Sequence, residues 1–322
     1  MGEGKRAYRL FNRSTRSKFI KKDRMGVAST IGTIMALMVF LTIISMFTNT
    51  YIPIWMKENE RDHMDEVLGQ FGELKGKVDV LIVNAQTTQR PTINMFQPIN
   101  LGSDSVPVFT SATAGFLHLK PSGTYDTGVS VDFWYNYSGT KQHIVIDGGG
   151  CLEYYAPNRY FVQQWYGYEN GALIIYQKEG MAVRASPSIV LALNPDNTVN
   201  VQFDQVDLIG DNETVAGIGM AGVNIDLYSH ESQSYMLSDP TGTHSEGTLV
   251  LKFTTRYLDA LWSYINTTML TAGLVKGVGN DYTTSSKLVR AEARPVYELT
   301  LTVFDVNEFT HNRAHVKLDL EQ

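Results

Sequence analysis

The sequence predicts a mainly β protein with helices. An N-terminal transmembrane helix continues into a helical stalk, and an antiparallel β-sandwich or jelly-roll-like ectodomain with one covering helix follows. Three observations predict this. No charged residue occurs between Arg24 and Lys57. An apolar stripe with heptad steps follows that gap. From about residue 100 onward, apolar residues alternate with period two. The boundaries fall at a basic tail over 1–26, the span over 27–50, the stalk over 51–85, a linker over 86–99 and the β-rich domain over 100–322.

The basic tail sets the topology. Residues 1–26 carry nine basic side chains, from Lys5 and Arg6 to Lys22 and Arg24, against Glu3 and Asp23, a net of +7. The whole chain is −6, so residues 27–322 carry −13. A basic flank beside an apolar span stays in the cytoplasm, which puts the acidic remainder outside. Topology accounts for this charge, so no nucleic-acid partner is expected.

The span itself is Met25–Phe47, about 23 residues and roughly 34 Å as a helix, against a hydrocarbon core of about 30 Å. It exceeds the usual h-region of a cleaved signal peptide, and no A-x-A-like site follows it. Tyr51-Ile-Pro-Ile-Trp55 then supplies an interfacial aromatic belt. The small residues Gly32, Ala36 and Ser45 suit close helix–helix contact inside a membrane or filament.

The stretch Lys21-Lys-Asp-Arg-Met-Gly26-Val-Ala-Ser-Thr-Ile-Gly-Thr-Ile-Met-Ala-Leu-Met38 resembles the start of archaeal type IV pilin-like proteins. In that family a basic leader ends in a small residue directly before the apolar helix. The resemblance implies a membrane leader peptidase cutting between Gly26 and Val27. It also implies partners in pilus assembly machinery and self or sister-pilin association through residues 27–83. The bacterial pattern has Glu at the fifth mature position; Ile31 stands there in this chain. A looser similarity to archaeal pilin-like surface proteins runs into the β-rich body. The alternative is a plain single-pass anchor that is never cut.

In the stalk, Met64, Val67, Phe71, Leu74, Val78 and Leu81 step by three and four, with Glu58, Glu60, Arg61, Asp62 and other charges on the rest of the surface. The stripe fits either a sister subunit or the chain's own β-domain. Gly69, Gly72 and Gly76 weaken the helix and permit close approach of a neighbour. Pro53 is expected to kink the junction before it. Asn84–Pro98, polar and with two prolines, reads as linker.

Beyond it, Val129–Tyr135, His143–Ile146, Ala172–Gln177, Ser188–Leu193, Val199–Phe203, Val223–Tyr228, Thr248–Phe253, Tyr297–Val303 and His315–Leu320 read as strands. Turn clusters separate them at Gly148–Gly150, Asn194–Asn197, Gly210–Asn212 and Asp239–Gly242. One helical face, Tyr257, Leu258, Leu261, Trp262, Ile265 and Met269, is expected to cover a sheet.

Residues with reactive chemistry are sparse. The single cysteine, Cys151, can form no internal bridge and is expected in the core. Asn136, Asn212 and Asn266 begin N-x-[ST] sequons and are the glycosylation candidates. Gly217-Ile-Gly-Met-Ala-Gly222 fits a dinucleotide fingerprint, but the alternating Val223–Tyr228 after it reads as strand where a helix N-terminus is required. His311 and His315 read as a solvated turn. His230-Glu231 and His244-Ser-Glu246 offer metal-binding types without a ligand ladder. Asp196-Asn197 and Asp211-Asn212 lack the usual calcium-loop pattern. Expected cofactors, metals and catalytic residues are therefore none. Tyr154, Tyr155, Tyr160, Phe161, Trp165, Tyr166 and Tyr168 suit either core packing or glycan stacking.

These readings converge on a membrane-anchored, non-catalytic archaeal cell-surface protein of the pilin-like class, a minor pilin or a display and adhesion component. The alternative is an anchored ectoenzyme or glycan-binding protein. A buried carboxylate pair in a cleft favours the enzyme; an exposed aromatic strip including Tyr166 and Trp165 favours the lectin.

Overall fold

A computed structural model describes residues 15–88, 93–106, 109–124, 126–237, 247–277 and 281–322. The tail residues from Lys5 to Arg13, the Asp239–Gly242 turn, and His244 with Glu246 lie outside the described residues. The chain divides into two compact units between Trp55 and Met56.

The first unit is built on α1, Thr15–Met46. It contains a stretch long and apolar enough to cross a membrane, and none of that stretch is buried. Its large apolar side chains keep between 39% (Ile44) and 63% (Met35, Met38) of their surface. The hydroxyls inside the span bond back to the helix: Thr30 to the Val27 carbonyl at 2.9 Å and Thr42 to that of Met38 at 2.8 Å. No hydroxyl of these two residues is therefore left unpaired in an apolar phase. At the end of α1 the chain makes a π-helical turn, Phe47–Tyr51, in which the Ile52 N–H reaches the Phe47 carbonyl five residues back. Pro53 explains it: proline has no N–H to offer the Asn49 carbonyl and its ring crowds that turn.

The next helix, α2, runs over Ile52–Thr88, and from Met56 onward it belongs to the second unit. Its stripe, Met64, Val67, Phe71, Leu74, Val78 and Leu81, is at most 1% exposed and enters a core shared with Ile99, Leu117, Tyr154 and Val223. Of the two occupants that the stripe fits, the chain's own β-domain is the one in place. Gly69, Gly72 and Gly76 lie on the outer face, where a Cβ would meet nothing within 4 Å.

Residues 86–99 do not form the linker that the sequence predicts. Helix α2 extends to Thr88, and strand β1, Met95–Asn100, begins before the segment ends. Pro98 concealed the strand. It is tolerated because β1 is an edge strand that pairs only with β12, Met220–Met236.

Two sheets form the body. The smaller contains β2 (Gly115–Lys120), β5 (Cys151–Ala156), β6 (Gln164–Glu169), β7 (Ala172–Gln177), β8 (Gly180–Ala185) and β11 (Glu213–Gly217), in the order β11-β2-β5-β6-β7-β8. The larger adds β3 (Gly128–Tyr137), β4 (Thr140–Gly148), β9 (Ser188–Leu193), β10 (Val199–Ile209), β13 (Gly247–Thr255), β14 (Tyr282–Arg290) and β15 (Val296–Glu321) to β1 and β12. All the strands read from period two lie within these elements. One pairing departs from the antiparallel expectation: β10 runs parallel to β15.

The 26-residue β15 is the spine. Its first half lies between β13 and β14, its second between β12 and β10. Leu299, Leu301 and Val303 enter one core; Ala314, Val316 and Leu318 enter the other, with α2. Between the halves Asp305 takes φ +50°, in the left-handed region. Helix α3, Leu258–Thr271, buries Ala260, Leu261, Ile265 and Met269 in the first core, as its apolar face predicts.

Candidate functional site

Three groups of polar side chains are candidates for a site. The first is centred on Asp207 of β10, whose side chain is fully buried. Its Oδ1 accepts the Gly149 N–H at 2.7 Å and the Gln205 amide at 2.8 Å; its Oδ2 accepts Arg313 Nε at 2.6 Å. Gln205 Oε1 in turn accepts His311 Nε2 at 3.0 Å. His311 and His315 are thus strand residues of β15, which corrects the solvated turn expected for them. The parallel pairing of β10 with β15, read from neither strand alone, brings them to Asp207. Burial, aided by nearby Arg313, pushes His311 down to about 4, so it is neutral at pH 7.

Ser229, His315 and Asp207 offer a hydroxyl, an imidazole and a carboxylate in line. Ser229 Oγ is 2.9 Å from His315 Nδ1, but His315 Nε2 is 3.5 Å from the carboxylate, and the Arg313 guanidinium is nearer. The cation occupies the place that a nucleophilic triad gives to the imidazole. This cluster fastens strands; it does not activate Ser229.

The second cluster lies where β2, β5 and β6 meet α3. Glu153 accepts Lys120 Nζ at 3.0 Å and Tyr257 Oη at 2.8 Å, and pairs closely with Arg294. Lys120 also meets Asp126 at 2.9 Å, and Arg256 bridges Asp126 and Glu292. Burial works against ionising Glu153, but Arg294 and Lys120 outweigh it and hold its pKa below the ordinary range. Among the described residues Glu169 has no cation within ion-pair distance, and Lys120 acts on it only through its charge. Burial, together with the charge of Glu153, pushes it up to about 8. Cys151, opposite Glu169 on β5, is buried as expected, and burial raises its thiol. Every charge here except Glu169 has an opposite partner, the mark of a structural ion-pair network.

Aromatic residues divide by strand face. Tyr154, Tyr166 and Tyr168 are at most 1% exposed and belong to the core under α2. The strip with Tyr166 and Trp165 therefore does not exist as one surface. On the other face, Phe116, Tyr155, Trp165 and Tyr176 stand opposite one another across β2, β5, β6 and β7. Tyr155 and Trp165 stack at 4.5 Å and 10°, and the Arg294 guanidinium lies 4.9 Å from both Trp165 and Tyr176. These rings pack on each other and on Arg294, and Phe116 at the end of the row keeps 41% of its surface exposed.

The third cluster is a cleft of about 630 Å³ on the larger sheet. Pairing register builds its floor. Asp147, Ser130 and Lys252 form one row across β4, β3 and β13; Gly128, Thr254 and Glu298 form the next across β3, β13 and β15. Ser122, Thr124 and Thr127 close one side. The walls are held from below. Leu208 N–H donates to Gly149 O at 2.8 Å, Ser122 N–H donates to Leu208 O at 2.7 Å, and Arg313 donates to the Asp147 carbonyl at 2.6 Å.

A further carboxylate is buried on α2. Glu60, counted among the surface charges of the stalk, is fully buried. It accepts the consecutive backbone N–H groups of Arg159, Tyr160 and Phe161 at 3.0, 2.7 and 2.7 Å, and Thr113 Oγ1 at 3.0 Å. These amides form a backbone nest that no side-chain pattern announces.

The remaining candidates are placed as follows. Gly26 and Val27 lie within α1, as do Gly32, Ala36 and Ser45. Asn136 is exposed beside the Ser138-Gly139 turn between β3 and β4, where both residues have positive φ. Asn212 is exposed but accepts His118 Nε2 at 3.0 Å, and Asn266, on α3, accepts Lys276 Nζ at 2.9 Å. Gly217–Gly222 joins β11 to β12, with strand on both sides. Asp196 accepts both the amide and hydroxyl of Thr198, an Asx-type turn. Among the described residues no group of three His, Cys, Asp or Glu side chains is placed to hold a metal. No family model matches this sequence, and no curated protein or solved structure is significantly similar to it.

Proposed function

We propose that this chain is a membrane-anchored cell-surface protein of the archaeal type IV pilin-like class, a minor pilin or a display and adhesion component that binds and does not catalyse. The observation that carries the reading is the uncharged stretch of α1 from Gly26 to Met46. It is helical, its hydroxyls Thr30 and Thr42 are paired to its own backbone, and none of it is buried. An apolar surface of this extent demands lipid or sister helices. The basic flank supports an N-terminus in the cytoplasm and a β-rich body outside.

The reading assigns Gly26 and Val27 to leader processing, α1 to assembly, and Asn136, Asn212 and Asn266 to surface glycosylation. Non-catalytic action is supported by the use of the buried ionisable groups. Asp207, Glu60 and Glu153 each hold backbone amides or cations of the chain itself. The deciding experiment is the intact mass and N-terminal sequence of the protein from native membranes. A start at Val27 supports the pilin-like reading. A start at or near Met1 sinks it and leaves a single-pass anchor.

A further inference from the structure

We propose that the cleft floored by β4, β3, β13 and β15 binds an oligosaccharide that is neutral or amine-bearing. The inference deepens the adhesion reading and rests on it for biological sense; the geometry stands apart from it.

The cleft is polar, and apart from Thr124, whose hydroxyl donates to the Pro121 carbonyl at 2.9 Å, most of its side-chain oxygens are unused. Among the described residues, the hydroxyls of Ser122, Thr127, Ser130 and Thr254 have no hydrogen-bond partner within the chain, and neither do the carboxylates of Asp147 and Glu298. This contrasts with Asp207, Glu60 and Glu153, whose oxygens are taken by the fold. Hydroxyls that both donate and accept, beside acceptor-only carboxylates, match a ligand rich in hydroxyl groups. Carboxylates accept strongly from ligand hydroxyls and from ammonium groups.

Charge selects within that class. Asp147 and Glu298 outnumber Lys252, whose Nζ is also 3.9 Å from Asp132 Oδ2. An anionic ligand meets net repulsion here. Val129 is the one large apolar residue of the lining, which disfavours an apolar ligand.

Distance selects binding over hydrolysis. Asp147 on β4 and Glu298 on β15 are separated by two intervening strands, β3 and β13. Three strand spacings make roughly 14 Å between backbones. Glycoside hydrolysis needs its two carboxyls within about 5–9.5 Å. A span of this size exceeds one sugar ring and suits an oligosaccharide gripped at both ends. The floor is pre-organised, because Gly149 and Ser122 are tied to Leu208 and the Asp147 carbonyl to Arg313.

The test uses the full chain in lipid nanodiscs, without sugar-headed detergent. Calorimetric titration is run with three trimers: maltotriose, its counterpart chitotriose with free amines, and trigalacturonate. The expected result is binding of maltotriose or the amino trimer, with trigalacturonate at least about tenfold weaker. The double variant Asp147→Asn, Glu298→Gln is expected to lose about tenfold or more in affinity, as removal of charged hydrogen-bond partners does, while its thermal unfolding matches the parent. No binding of either non-acidic trimer at millimolar concentration overturns the proposal, and so does a double variant that binds as well as the parent. The N-terminus of the native protein is read separately, so failure of the pilin-like reading and failure of this one give different results.

Discussion

The Asp207 carboxylate accepts the amide of Gly149 at 2.7 Å, joining β10 to the triple-glycine turn where the chain passes from the larger sheet to the smaller. The contact requires glycine on the near side. A Cβ on Gly148 would stand 2.0 Å from Asp207 Oδ1. The same carboxylate holds Arg313 of β15. Asp207→Asn keeps the shape but removes the charge and turns one acceptor into a donor facing Arg313 or Gly149. We expect a loss of about 3 kcal/mol, at the low end for a buried pair because Arg313 keeps contact with water. Urea denaturation followed by circular dichroism measures it. A change under about 0.5 kcal/mol would show that the network is dispensable.

Glu60 and the nest at 159–161 give a second prediction. The carboxylate satisfies three consecutive amides that have no other partner among the described residues, and it fixes the first turns of the buried part of α2 against the β5–β6 connection. Glu60→Ala leaves partly buried donors unpaired, at up to about 1–3 kcal/mol each before water enters. Amide exchange at Arg159, Tyr160 and Phe161 is expected to accelerate by at least about tenfold. Exchange in β10, which Glu60 does not touch, is expected to hold. Uniform acceleration across the body would assign Glu60 to global stability and not to local docking.

Glu169 predicts a pH dependence. Unfolded, the carboxyl titrates near its ordinary 4.5; folded, burial raises it to about 8. Between those values the native chain holds a proton that the unfolded chain has lost. Stability from this group is therefore complete below about 4.5, falls by up to about 1.4 kcal/mol for each pH unit above it, and levels off beyond about 8. The neighbours Glu153 and Asp126 have depressed pKa values and act in the opposite sense, losing stability as pH falls. Comparison with Glu169→Gln isolates the one group. The variant should match the parent near pH 4.5 and exceed it in Tm at pH 8. Parallel pH profiles for the two proteins would refute the assignment.

How much of this was legible in the sequence depends on the range of the signal. Period two exposed the strands around Val131, Leu251 and Leu301 because each alternation lies within one segment. The stripe from Met64 to Leu81 was equally plain, but its partner was not, since a heptad face looks the same whichever apolar surface covers it. Pro98 hid β1, because only the topology reveals that β1 is an edge. The polar sites were illegible for a common reason. Asp207 meets Gly149 and Arg313 across 58 and 106 residues of sequence, and Glu60 meets the nest across about 100. Glu60 in particular carried the signature of a solvated helix charge. The cleft depends on the register of four strands, of which β15 comes more than 140 residues after β4.

The last prediction concerns the outer face of α2. Gly69, Gly72 and Gly76 recur at helical spacing, and a Cβ at any of them meets nothing within 4 Å. Within this chain they therefore lower helix stability without a packing return. Gly to Ala at an open helical site stabilises by about 1 kcal/mol. The triple variant Gly69→Ala, Gly72→Ala, Gly76→Ala is expected to gain roughly 2–3 kcal/mol, seen as a raised midpoint in urea. The inner stripe is already occupied by the chain's own sheets, so the outer face is where a sister helix would need close backbone approach. If the glycines serve such contact, the stabilised variant will lose assembly in native membranes, scored by cross-linking and sedimentation, while its monomer gains. If assembly is unchanged, the glycines are unrelated to it, and sister contact falls to α1 alone.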